Sequence, residues 1–371
     1  VSPTRVSLHI GAMKTGTTFV QRMLGSNRQL LADQGVLYPT PWSDQVEAVR
    51  DVLALKGGSH LGSIDGSWHR LLAQLKDWDG PAAVLSVEFI SFADATQIQQ
   101  VVGDLKGFDV SVVVGARDLG RVLPAQWQTA VRNGQTTTYR EYLSGVTGRR
   151  PSRAKRHFWK RQDIGDIAAR WAKELGSQSV SVVTLPPSGN DPNELWRRMA
   201  IALGLADIPL ESHDSNNESL GATGTELLRR VNEQANDMEL AQWNYQHGVN
   251  RALSHRVLPN LADERSSMSL PPGEQEWATR EARRIVHEIS ESGVKVVGEL
   301  DDLLPKFKTG ARVEWPEDIP EADLLALSTA ALAGLADEFA ELKKDGLAGR
   351  KRKKRESTPA PQSSSEDSSG D

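Results

Sequence analysis

Residues Val6-Ser-Leu-His-Ile-Gly11-Ala-Met-Lys14-Thr-Gly16-Thr17-Thr18-Phe-Val-Gln21 constrain this chain more than any other stretch. A β-branched run feeds a Gly/Thr loop and then, at once, a helical pattern. A strand that turns through glycines into a helix N-terminus aims backbone N–H groups and the positive end of a helix dipole at one spot. Such a spot selects an anion, most often a phosphate, and the unit recurs in parallel α/β sheets.

The position of the lysine narrows the ligand. The triphosphate-binding loop reads G-x-x-x-x-G-K-[ST], with its lysine directly after the second glycine. Gly11 and Gly16 keep that spacing, but Thr17 stands in the lysine's place and Lys14 lies two residues before Gly16. In the triphosphate loop the lysine bridges the β- and γ-phosphates and the next hydroxyl holds magnesium. Here the ammonium is aimed elsewhere, and two threonines are left to bind phosphate. A ligand with one 5′-phosphate and one transferable group suits this loop better than a magnesium-bound triphosphate.

Apolar runs and helical patterns alternate through the first 205 residues. Strands are expected at Arg5–Ile10, Ala82–Val87, Val110–Val114 and Ser179–Leu185, all rich in Val, Leu or Ile. Helices are expected at Thr17–Leu31, Arg70–Asp77, Thr96–Lys106, Ile164–Leu175 and Asn193–Leu203. Further on they are expected at Thr223–Asp237, Pro272–Ser292 and the Ala/Leu-rich Glu321–Lys344. The class is α/β: a P-loop-type doubly wound parallel sheet with helices on both faces, plus a C-terminal helical extension. The expected organisation is a domain over 1–305, a helical extension over 306–349, and a disordered tail over 350–371 with a basic run followed by Ser and acidic residues. The last long helix is expected to dock on the domain or to pair with a second copy as a homodimer.

Composition excludes some chemistry. The formal net charge is −5, so nucleic acid is not an expected partner. No cysteine is present, which rules out disulfides, thiolate metal sites and a thiol nucleophile. No carboxylate/histidine spacing marks a metal site. Neither a leader pattern nor an apolar run of bilayer length stands out, so the expectation is a cytoplasmic chain without a transmembrane segment.

Two further positions complete a transfer site. The third run ends Val112-Val-Val-Gly-Ala-Arg117-Asp118, and an arginine at the carboxyl end of a parallel strand lies on the ligand-binding edge, where its fork can hold phosphate. The second run ends Val84-Leu-Ser86-Val-Glu88, which puts a carboxylate at the same edge as a candidate base. His9, within the first strand, reads as a core or sheet-edge histidine. A basic segment, Arg149 to Arg161, carries an aromatic pair and reads as a loop or flap over an anionic nucleotide or an acidic acceptor.

Lys14-Thr15-Gly16-Thr17-Thr18 closely resembles the 5′-phosphosulfate loop of the sulfotransferases, which use 3′-phosphoadenosine 5′-phosphosulfate. The resemblance extends over roughly residues 5–305 and points to a bacterial type similar to the Golgi carbohydrate and tyrosylprotein enzymes. It implies an enzyme that moves a sulfuryl group to a hydroxyl or amine of a small-molecule or carbohydrate acceptor, without metal. Glu88 is implied as base, and Lys14 as the group that stabilises the departing phosphate. Lys14, Thr15, Gly16, Thr17 and Thr18 are implied to bind the 5′ end, and Arg117 the 3′-phosphate. The family places a serine eight residues after that arginine; Ala125 stands there instead, leaving Arg121, Gln126 or Gln128 to supply the contact. Asn217 and Ser219 lie in a stretch similar to a nucleotide-contacting loop of bacterial members. Two other readings are a phosphotransferase or nucleotide hydrolase with an atypical loop, and a non-catalytic binding module on the same fold.

Overall fold

The computed structural model describes residues 3–39, 41–55, 64–187, 189, 191, 193–211, 219–261, 268–307 and 315–356, with side chains described through 344. The chain divides into two compact units, residues 1–130, 137–217 and 268–315 in the first, and 131–136, 218–267 and 316–371 in the second.

The first unit is built on a parallel sheet. Its elements in chain order are β1 (Arg5–Gly11), α1 (Thr17–Ser26), α2 (Arg28–Asp33), β2 (Val36–Leu37), α3 (Trp42–Val52), α4 (Ser67–Lys76), β3 (Ala82–Ser86), α5 (Ala95–Asp104) and β4 (Asp109–Ala116). Then follow α6 (Leu119–Arg132), α7 (Tyr139–Thr147), α8 (Arg153–Gln162), α9 (Ile164–Leu175), β5 (Val180–Thr184) and α10 (Glu194–Leu203). The six strands run in the order β2-β3-β1-β4-β5-β6, all parallel, with β6 at Lys295–Val297. α1 and α10 cover one face, where Val20, Met23 and Leu24 meet Val84, Val113, Val183, Met199 and Leu203. α5 and α9 pack together, with α9 against β4 and β5. The sheet is therefore doubly wound, and its strands read as unbroken apolar runs because water reaches neither face.

This winding fixes where a ligand can bind. From β1 the chain goes outward to β2, and from β3 it goes the other way to β4, so the connections part between the neighbours β1 and β3. The crevice beyond the carboxyl ends of two such strands is the ligand site of open α/β sheets. Gly11 and Ser86 end those two strands.

Several local expectations are corrected. The helix read over Thr17–Leu31 is two helices, because Asn27 ends α1 and begins α2. Its amide donates to the Met23 carbonyl at 2.9 Å and to the Glu211 carbonyl at 3.0 Å, while its oxygen accepts from the Glu211 N–H at 2.9 Å. The basic segment read as a loop forms α8. Ser152 caps it, accepting from the Lys155 N–H at 2.9 Å, and Lys and Arg are good helix formers. Its aromatic side is locked: Phe158 is buried, and the Trp159 and Trp277 rings lie 5.6 Å apart. The short strands β2 and β6, and the helices α3, α6 and α7, are additional to the elements expected from the sequence.

The second unit is helical: α11 (Gly221–Asp237), α12 (Gln242–Asn244) running into a π-helix (Tyr245–Val257), α13 (Leu258–Leu261) and α15 (Glu321–Glu356). α14 (Pro272–Glu291), between them in sequence, belongs to the first unit and packs on α9. In the second unit Glu226 is fully buried and accepts from Arg229 Nη2 at 2.7 Å and Arg230 Nε at 2.9 Å. The α15 helix extends past the expected end at Lys344, and it leaves Leu325, Leu332 and Phe339 exposed at seven-residue spacing. The remainder of the expected tail, from residue 357, lies outside the described residues. No helix among the described residues is long and apolar enough to cross a membrane.

Candidate functional site

The loop after β1 is tied to its neighbours by backbone geometry. Gly11 (φ +87°) and Gly16 (φ +80°) adopt left-handed conformations that a side chain would strain. A Cβ on Gly11 would lie 2.9 Å from the Glu88 Cβ, so the loop root and the candidate base touch with no room for a side chain between them. Lys14 is also left-handed, at φ +66°, an uncommon state for a residue with a Cβ. The Ala12 N–H donates to the Gly115 carbonyl at 2.9 Å, which fastens the loop to β4.

Gly16 is the N-cap of α1 and carries no side-chain cap. The first-turn amides of Thr17 and Thr18 therefore have no carbonyl within the helix to accept from them. Thr17 is buried and Thr18 is exposed. Thr15 is fully buried, and its hydroxyl donates to the Ala12 carbonyl, so it shapes the loop from inside.

Arg117, at the end of β4, reaches this loop. Its Nη1 donates to the Lys14 carbonyl at 3.2 Å, while its buried Nε has no partner. Burial, and then repulsion from Arg121, push the guanidinium down to about 10, against the opposing pull of Asp118. A cation so desolvated, with a donor unsatisfied, favours an incoming anion. Arg121 is held away from such a role by Asp118 and by the Pro186 carbonyl, to which its Nη1 donates at 3.2 Å. The Gln126 amide nitrogen is buried without a hydrogen-bond partner. Ser219 lies in the second unit, where its hydroxyl accepts from the Gly221 N–H at 3.2 Å. Asn217 lies outside the described residues.

Glu88 opens the short 3-10 helix Glu88–Phe92 beyond β3 and is half-buried. Gln21, one turn into α1, donates to Glu88 Oε2 at 3.0 Å and to the Ser86 carbonyl at 3.2 Å. Its amide thus fixes the carboxylate to the strand end. Sequence reading missed Gln21, although it follows Thr17 by four residues and so shares its helix face. It also missed Gln162, whose side chain donates to the Met13 carbonyl at 2.8 Å from the end of α8. Trp42, at the start of α3, donates to the Ser86 carbonyl at 2.9 Å and stays partly exposed beside the same edge.

His9 lies beneath this edge, as expected of a core histidine. It is fully buried, its Nδ1 lies 2.8 Å from the Ser86 hydroxyl, and its Nε2 has no partner. Burial pushes its pKa down to about 4. The unfolded chain takes up this proton near pH 6.5, so stability is complete above that pH and is lost as pH falls toward 4. The whole window is worth about 3 kcal/mol. Urea unfolding at pH 7 and pH 4.5 should show a larger loss for the native chain than for His9→Asn. Equal losses would mean that His9 does not set this slope.

No protein-family model, curated protein or solved structure matches the chain. The functional reading therefore stands on the site itself. Lys14, Arg117, Glu88 and the α1 N-terminus converge on one sheet edge, where they can bind an anion and accept a proton. Two clefts lie elsewhere in the first unit. One of about 570 Å³ runs along α14 beside Phe307, and one of about 340 Å³ sits at the head of α8.

Proposed function

We propose that the chain transfers a sulfuryl group from 3′-phosphoadenosine 5′-phosphosulfate to a hydroxyl or amine acceptor. The observation that carries this reading is the desolvated Arg117 guanidinium, one donor unsatisfied, bound to the backbone of a loop whose lysine precedes the helix rather than entering it. A nucleotide with phosphate at both ends supplies anions for two such cationic positions.

In this reading Lys14 and the first-turn amides of α1 hold the 5′-phosphate, and Arg117 holds the 3′-phosphate. Gln126, with its unpartnered buried amide, replaces the serine absent at position 125. The Glu88 carboxylate takes the proton from the acceptor as its oxygen or nitrogen bonds to sulfur. The bond from sulfur to the 5′-phosphate oxygen breaks in line, and the electron pair leaves with the bisphosphate. The Lys14 ammonium stabilises the charge that grows on that oxygen. Gln21 orients the base through its amide N–H.

Calorimetric titration tests the donor. 3′-Phosphoadenosine 5′-phosphate should bind without magnesium, and more tightly than ATP with magnesium. Tight magnesium-dependent ATP binding with no response to the bisphosphate would overturn the reading in favour of a phosphotransferase.

A further inference from the structure

The last helix, α15, carries two apolar faces, and the second unit covers only one of them. On that face Leu324 and Ala331 are buried, and a Cβ on Gly334 would lie 2.7 Å from the Val257 Cγ1. Arg256 pairs with Glu338 at 2.7 Å and Arg230 with Glu321 at 2.8 Å, which fixes the helix in place. The other face runs Ala322, Leu325, Thr329, Leu332, Ala336, Phe339 and Lys343, all exposed. Leu325, Leu332 and Phe339 are each 68% exposed. Steps of alternately three and four residues put these positions on one stripe, the repeat of a coiled-coil seam.

The order of side chains along the stripe specifies what covers it. Large and small residues alternate, so a second α15 laid antiparallel sets each large side chain on a small one. Leu325 meets Ala336, Leu332 meets Thr329 and Phe339 meets Ala322, and a two-fold axis repeats the three pairs. Parallel pairing would set Leu on Leu, Phe on Phe and Ala on Ala, leaving gaps beside bulges that close packing does not tolerate. Charge selects the same arrangement. From Glu321 to Glu341 the helix holds five acids and no cation, whereas Arg350–Arg355 is wholly basic. Antiparallel pairing brings Lys343 and Lys344 to the acidic start of the other copy, where Glu317, Asp318, Glu321 and Asp323 lie. Parallel pairing would lay two basic runs side by side, and like charges so placed are costly. An anionic lipid surface fits less well, because it repels the five acids of the same helix.

We propose that the chain forms a two-fold homodimer in which the exposed stripe of α15 pairs antiparallel with that of a second copy. The seam from Ala322 to Lys343 is about 33 Å long at about 1.5 Å per residue, which gives three large-on-small pairs twice over. Small residues at every second position let the two helix axes approach closely. The inference uses no residue of the transfer edge and is independent of the sulfuryl-transfer reading.

Sedimentation velocity of the full chain over a micromolar concentration series tests the pairing. The native chain should run as a dimer. Leu332→Lys should weaken self-association at least tenfold with unchanged circular dichroism, since Leu332 is exposed and packs in no core. Lys343→Glu/Lys344→Glu, also at exposed positions, should weaken it as well. The chain has no cysteine, so introduced thiols report the orientation. Leu325→Cys/Ala336→Cys should form a disulfide between two chains on mild oxidation, and Ala336→Cys alone should not. Within one chain those two positions stand about 16 Å apart along the helix, too far for a bond. A monomeric native chain, an unaffected Leu332→Lys, or no cross-link in the double variant would each overturn the proposal. Equal cross-linking by Ala336→Cys alone would overturn it in favour of parallel pairing. Binding to phosphatidylserine vesicles that Leu332→Lys abolishes, with no dimer in solution, would overturn it in favour of a membrane face.

Discussion

Glu88→Gln is expected to bind 3′-phosphoadenosine 5′-phosphate within about twofold of the native chain and to lose turnover by about 10²–10⁴-fold, the usual contribution of a positioned general base. The substitution isolates proton transfer for a structural reason. Gln21 donates to one carboxylate oxygen, and the new amide keeps an oxygen that can accept the same N–H. The shape beside Gly11 is also preserved, because the Glu88 Cβ that crowds that glycine is unchanged. The measurement is release of the bisphosphate from the sulfuryl donor with a panel of sugar and phenol acceptors, at equal occupancy of the nucleotide. Full activity in Glu88→Gln would remove the carboxylate from the mechanism. A parallel loss of nucleotide binding would make it a structural residue.

Lys14→Ala and Lys14→Gly are expected to reduce turnover by about 10²–10³-fold, as removal of one preorganised charge at a developing oxyanion does. Both should also weaken bisphosphate binding, since a charge-assisted hydrogen bond is worth about 1.5–3 kcal/mol. The pair separates charge from backbone strain. Lys14 sits at φ +66°, where alanine keeps the left-handed penalty and glycine does not. Thermal unfolding of the ligand-free chain should therefore rank Lys14→Gly above Lys14→Ala by about 1 kcal/mol, while both fail in catalysis. Retained turnover in Lys14→Gly would refute the role of the ammonium.

Much of the frame was legible because local chemistry and tertiary environment agree. β4 and β5 read as strands from their valines, and α9 ends where its periodicity ends, at Ile164 and Leu175. Other elements were hidden because their cause is not local. β2 is two residues long and exists by pairing with β3. Asn27 breaks an otherwise continuous helical pattern because its side chain is drawn to residue 211, 184 positions away. The basic segment carries the composition of a solvated loop, yet Phe158 and Trp159 find Trp277 and fold it as a helix.

The amino-acid order alone determined an anion-seeking strand–loop–helix, a lysine placed before its second glycine, and a carboxylate and an arginine each at a strand end. These follow from spacing and side-chain type, which act over a few residues. Only the tertiary structure decided which of those strand ends touch. Parallel pairing of β1 with β3 and β4 brings residues 77 and 103 positions apart to the loop, with Gly11 against Glu88 and the Lys14 carbonyl bonded to Arg117. It also decided that Arg117 is desolvated, that Gln21 holds the base, and that the cationic helix begins in a cleft and ends at the site. Burial and partner are properties of packing between distant segments, and no local pattern encodes them.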